Sequence, residues 1–263
     1  MTHPHGGPGP AMPPAPGERG CAPGPAGPGV PVSIWPDLPA PAVGRDPALC
    51  TGLVTAAAAR KAIAAFSRPG DLVAAPDGSI AVIEAAAAAG RHVLGVIPGE
   101  GRAVAGLLAR LDPAARPLAR LRPGGPDLLL APGDLDAGRA ALAITGCHGP
   151  GYCATPRRGD VAGPGLLYAA CQRVLVLGGV LAVITASPAP GGLLTDLAGH
   201  AVAAARAAGL VYVQHIVLVH AAIDGDHFAP DPAATAPVSR IGGHRIHSDL
   251  LVFTKPGGAL QHA

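Results

Sequence analysis

Lysine is nearly absent from this sequence: two residues, Lys61 and Lys255, stand against 17 arginines. Aromatic residues make up 3% of the 263 positions, with a single Trp, and charged residues 14%. Ala (55), Gly (38), Pro (31) and Arg (17) fill more than half of the chain. All four have GC-rich codons, so the Ala runs reflect base composition and carry little functional information. No apolar stretch approaches the roughly 18 residues that a bilayer-spanning helix needs. Residues 1–16 offer neither the basic nor the apolar region of a secretory signal, so the expected location is cytoplasmic. Five cysteines (21, 50, 147, 153 and 171) are odd in number and irregularly spaced, which argues against a disulfide framework and for reduced thiols. No Walker loop, no Gly-x-Gly-x-x-Gly after a strand and no Gly-x-Ser-x-Gly elbow is present, which argues against kinase, GTPase, NAD-enzyme and hydrolase readings. A formal charge of +2 is too small to imply nucleic acid or an acidic membrane by itself.

What is present is core material: 49% of the residues are apolar and mean hydropathy is +0.37. It is distributed unevenly. Residues 1–41 hold 13 Pro and 8 Gly, and residues 1–45 are expected to form a disordered tail. Val30–Trp35 is the tail's one apolar cluster, with Trp35 either an anchor on the domain or a stray apolar residue. From about residue 46 to 258 helices and strands alternate, and 259–263 is a short tail. Helices are expected at 51–66, 80–89, around Val104, Leu107, Leu108 and Leu111, around Leu167 to Val174, and at 194–208. Strands are expected at 71–75, 92–97, near 118–121, and at 127–131, 180–185, 210–220 and 250–253. This order argues for a three-layer α/β sandwich, mostly parallel, with its last two strands antiparallel.

Ligands of open α/β sheets sit beyond the carboxyl ends of the strands, which draws attention to the loop Ala75-Pro76-Asp77-Gly78-Ser79. With Arg68-Pro69-Gly70-Asp71 before it, and Glu84 and Gly90-Arg91-His92 after it, this segment resembles class I AdoMet-dependent methyltransferases. It is most similar to those acting on exocyclic amino groups of DNA and RNA bases. Tyr168 to Leu175 with Gly178-Gly179, and Asp249 to Pro256, extend the resemblance. It implies a Rossmann-like sheet, AdoMet as cofactor and nucleic acid as partner. Pro76, Asp77, Gly78, Ser79 and Glu100 take the cofactor-binding positions, and Pro132 and Asp134 the catalytic ones; no metal is implied.

The sequence departs from the family pattern in each functional loop. Ala75 replaces the acid that ends the first strand, and Ile80 stands where a second glycine belongs. Ile97-Pro98-Gly99 lacks the carboxylate that holds the ribose hydroxyls. Glu100, the nearest acid, also reads as an acidic residue in a helix's first turn, favoured by the dipole. Ala131-Pro132-Gly133-Asp134 stands for the family's Asp-Pro-Pro-Tyr or Ser-Pro-Pro-Tyr. Its Asp134 also reads as an Asp opening a polar turn, and Tyr152 is a candidate for stacking a base from a neighbouring loop. Weak AdoMet binding and reduced or lost catalysis are therefore expected. The alternative is a non-catalytic binding or regulatory module, with a protein partner. Cys147, His148 and Cys153 do not make up the four clustered ligands of a zinc site.

Overall fold

The computed structural model describes residues 29–36, 53–131, 133, 136–147, 164–185, 196–225, 227–230 and 247–257. Helix α1 (Ala56–Phe66) starts where Thr55 accepts a hydrogen bond from the Ala58 N–H at 3.1 Å, satisfying one donor of the first turn. Strand β2 (Leu72–Ala75), helix α2 (Ile80–Ala88), strand β3 (His92–Ile97), helix α3 (Gly101–Arg110) and strand β4 (Ala119–Pro123) follow. Then come β5 (Ala140–Cys147), α4 (Pro164–Val174), β6 (Leu175–Thr185), α5 (Leu197–Ala207), β7 (Val211–Val219) and β10 (His247–Thr254). Between the last two strands, β8 (Ala221–Asp224) and β9 (His227–Pro230) form a separate two-stranded ribbon. With β1 (Val32–Trp35), the main sheet runs β4-β3-β2-β5-β6-β10-β7-β1.

Every pairing in this sheet is parallel except those of β10, which runs antiparallel to both β6 and β7. The expected pairing of 210–220 with the final strand is therefore present, with Leu250 opposite Ile216. The chain has the three-layer, Rossmann-like sheet expected of it. Side chains of α1, α2 and α3 pack on one face with Val73, Ile144 and Leu250, while α4 and α5 cover the other with Leu94, Leu181 and Phe253. A sheet buried on both faces needs apolar side chains in both directions, and β3 and β5 are buried almost throughout. Among the described residues, no helix is long and apolar enough to cross a membrane.

Two expectations fail. The strand expected at 127–131 is a 3-10 turn, Pro126–Leu130, and the fourth parallel strand lies instead at β5. Pro126 presets a turn-compatible φ at the first position, after Gly124 has reversed the chain at φ +137°. Leu129 then buries itself beneath the sheet as part of the turn. Second, the apolar cluster of the amino-terminal segment is ordered: β1 adds to the sheet edge parallel to β7. Trp35 anchors it, stacking on Phe66 of α1 with ring centroids 6.4 Å apart. Gln214 also donates to the Ser33 hydroxyl at 2.9 Å. The rest of that expected tail lies outside the described residues.

Candidate functional site

In the sheet order, β2 has β3 on one side and β5 on the other, so the crevice between β2 and β5 at their carboxyl ends is the topological switch point. The loop Pro76–Ser79 enters it. Asp77 turns its carboxylate inward: Oδ2 accepts from the Thr145 hydroxyl and from the Gly146 N–H, each at 2.8 Å, and Oδ1 accepts from the Ser79 N–H at 3.1 Å. Thr145 and Gly146 are near the end of β5, so Asp77 ties the carboxyl ends of the two central strands together. Burial pushes its carboxyl above the ordinary carboxylate range, and the hydrogen bonds from Gly146, Thr145 and Ser79 oppose that shift.

Gly78 has φ +74°, and a methyl group on it would lie 2.7 Å from Pro98 Cδ and 2.8 Å from the Val96 carbonyl oxygen. The loop is thus packed down onto the end of β3, which only a residue without Cβ permits. Ser79 is completely buried just before α2, and its hydroxyl has no hydrogen-bond partner among the described residues. Thr185, at the end of β6 and laterally paired with Cys147, is likewise buried with an unpartnered hydroxyl. Glu100 immediately precedes α3 but makes no side-chain cap bond. Its exposed carboxylate is free of partners among the described residues, at the same carboxyl edge.

The structure therefore brings Pro76, Asp77, Gly78 and Ser79 together at the switch point and leaves Glu100 beside them. Pro132 and Asp134 themselves lie outside the described residues, but the premise that placed them does not hold. Their segment follows the 3-10 turn and leads into the amino end of β5, where Gly138 and Arg139 donate to the carbonyls of Arg173 and Val174. The fourth parallel strand instead ends in Gly146-Cys147, and His148-Gly149 follow it in the sequence, with Tyr152 further on. Sequence reasoning missed Thr145 and Gly146 because Ala140–Cys147, built from Ala, Gly and Thr as much as from branched apolar residues, carries a weak strand signal. Cys147 is buried, whereas His148 and Cys153 lie outside the described residues. Glu84, part of the resemblance, forms an ion pair with Arg110 at 3.0 Å between α2 and α3. His215 and His220 serve the scaffold: the first meets Asp249 at 2.9 Å and the second meets the Ser248 hydroxyl at 2.8 Å.

No family model matches the chain, and no curated protein matches it. Among solved structures it is similar to a TehB-like SAM-dependent methyltransferase from Corynebacterium glutamicum. That match has 16% identity over 77% of this chain and 88% of that one, with a TM-score of 0.46. It is also similar to the methyltransferase solved with the Haloferax volcanii Trm112 activator, at 17% identity over 76% and 89% of the two chains and a TM-score of 0.49. A third is the Burkholderia thailandensis 1,6-didemethyltoxoflavin-N1-methyltransferase, solved with S-adenosylhomocysteine, at 17% identity over 81% and 80% with a TM-score of 0.45. The fold assignment rests on the strand order and register of this chain, a Rossmann-like sheet with its antiparallel strand set between β6 and β7.

Proposed function

We propose that this domain is an AdoMet-dependent methyltransferase scaffold of the nucleic-acid amino-methyltransferase type, in which cofactor binding is weak and methyl transfer is reduced or lost. One observation carries the reading: at the switch point, the Asp77 carboxylate is committed to Thr145, Gly146 and Ser79. The residues fit AdoMet in part. Glu100, exposed and free of partners among the described residues, suits the ribose hydroxyls, and Gly78 supplies the tight turn. The methionine end does not fit. Ala75 is wholly buried and offers no acceptor, and the nearby Asp77 oxygens are already occupied by the protein's own donors. Each cofactor donor left unpaired costs about 1–3 kcal/mol.

The chemistry meets a second obstacle. An exocyclic base amine delocalises its lone pair into the ring, so an enzyme must hold it with acceptors and align it with the methyl group. Gly146 and Cys147, which end β5, and His148, which follows it in the sequence, carry no side-chain carboxylate or amide acceptor. Asp134 precedes β5 in the sequence rather than following it. The second reading is a non-catalytic binding or regulatory module on the same fold, in the cytoplasm, with a nucleic-acid or protein partner. The internal saturation of Asp77 favours it.

Titration calorimetry with AdoMet, together with transfer of tritiated methyl to DNA and RNA, tests both parts separately. The expected outcome is a Kd weaker than about 100 μM, shallower than roughly −5.5 kcal/mol, and no incorporation above background. Incorporation that survives purification, and is lost in a Glu100→Gln variant, would show that the switch point still works as a catalytic site. Tight binding without incorporation would retain the cofactor and discard only the chemistry.

A further inference from the structure

A cleft of about 370 Å³ opens at the other edge of the sheet, where β2, β3, β4 and β5 begin. Its walls carry Arg120, Arg139, His92, Asp71 and Asp136, with Leu118 among the apolar lining. Such a volume lies within the range of small-molecule sites, roughly 300–1,000 Å³. Nothing in the proposed function uses this edge, which faces away from Asp77 and Glu100.

The charges there are unequally spent. Asp136, 1% exposed, receives Arg120 Nη1 on Oδ1 at 3.1 Å and Arg122 Nη2 on Oδ2 at 2.6 Å. One buried carboxylate thus fixes two guanidinium groups on β4 and is itself used up. Arg120 keeps donors facing the cleft, its side chain being 64% exposed. Arg139, just before β5, is exposed, and its guanidinium has no partner among the described residues. The His92 imidazole has none either. Asp71 uses Oδ2 to accept the Arg68 N–H at 2.7 Å and retains a second oxygen. The surplus donors at the cleft belong to Arg120, on β4, and to Arg139, just before β5.

We infer that the amino-edge cleft binds a small phosphate monoester of sugar-phosphate size, with Arg120 and Arg139 on the phosphate and Asp71 on a sugar hydroxyl. Guanidinium forks suit a phosphate because planar pairs of N–H groups match its oxygens, and charge-assisted hydrogen bonds are the strong ones. Asp136 acts through Arg120, holding that side chain in place before a ligand arrives. The remaining volume and the Leu118 side of the cleft accommodate the carbons of a sugar ring.

Calorimetry near neutral pH and low salt, with ribose 5-phosphate, inorganic phosphate and ribose as probes, tests the site in the full chain. Ribose 5-phosphate is expected to bind, inorganic phosphate roughly tenfold more weakly, and ribose not measurably. Arg139→Gln is expected to weaken ribose 5-phosphate about tenfold, the effect of losing one charge-assisted hydrogen bond. Glu100→Gln, at the opposite edge, should leave it unchanged. Because Arg139 is exposed, that variant keeps the fold, and a matching thermal melt establishes it. Ribose binding as tightly as its phosphate, an Arg139→Gln isotherm identical to the natural one, loss in Glu100→Gln, or no binding tighter than about 1 mM would each overturn the site. Failure here leaves the AdoMet titration untouched, since the two probes address opposite edges.

Discussion

At the carboxyl edge of the sheet, Asp77 gives its oxygens to three donors of its own chain, and Gly78 lies flat against the end of β3. At the amino edge, Arg139 and His92 line an open cleft with no partner among the described residues, and Arg120 keeps donors free. Among the described residues, the sheet thus spends the Asp77 carboxylate on internal hydrogen bonds at one rim and leaves arginine donors available at the other. Polar groups that satisfy one another stabilise a fold but have little left for a ligand, whereas unspent groups hydrate in the free state and can exchange water for an anion. The usual ligand position of an open α/β sheet is, in this protein, the rim where Asp77 is bonded internally. Two buried hydroxyls at this rim, Ser79 and Thr185, have no hydrogen-bond partner among the described residues.

The largest effect is expected where the loop after β2 is pushed off the end of β3. Gly78→Ala places a methyl against Pro98 and the Val96 carbonyl at a backbone angle that disfavours side chains. The left-handed conformation costs about 1–2 kcal/mol, and overpacking a further 1–3. Urea unfolding should show a loss of about 3 kcal/mol with an unchanged m-value. A loss below about 1 kcal/mol, the size of an ordinary substitution, would mean that the loop does not rest on β3.

Asp77 sharpens the contrast through pH. Its carboxyl is raised by burial, so between the unfolded carboxylate range and the raised folded value the native state holds a proton that the unfolded chain has released. The unfolded state binds fewer protons there, and stability falls as pH rises through that window, then levels off above the folded value. Subtracting the unfolding free energies of Asp77→Asn from those of the natural protein between about pH 3.5 and 7 isolates this contribution. A difference that increases with pH would mean the hydrogen bonds outweigh burial and hold the carboxylate ionised.

The smallest expected effect belongs to the open rim. Arg139→Gln should shift unfolding by less than about 0.5 kcal/mol, the range of surface substitutions away from any packed feature. A loss several times larger would show that the arginine is a structural member of the rim, and the contrast between the two edges would disappear.

Much of the scaffold was legible in the sequence. The helical spacing around Leu107 and Leu111, the helix stops at Gly90 and Gly209, and the largely apolar runs of β3 and β7 all correspond to elements of the structure. The fourth strand was not. Leu128-Leu129-Leu130 looks more like a strand than Ala140–Cys147 does, because side-chain hydrophobicity dominates a local reading. What makes 140–147 a strand is its position between β2 and β6, where eight small or branched residues fit a sheet covered on both faces. That displacement of about a dozen positions also means that Pro132 and Asp134 precede the fourth parallel strand in the sequence rather than follow it.

By itself the sequence determined the alternation of helix and strand, the glycine turn after β2 and the absence of an acid at Ala75, since these depend on residue type and nearest neighbours. Only the tertiary structure decided that Asp77 bonds across to Thr145 and Gly146, 68 and 69 residues away, and that Arg120 and Arg139 border a single cleft. Parallel strands separated by whole helices bring such residues together, and the register that sets which donor meets which acceptor is fixed by packing both faces of the sheet at once.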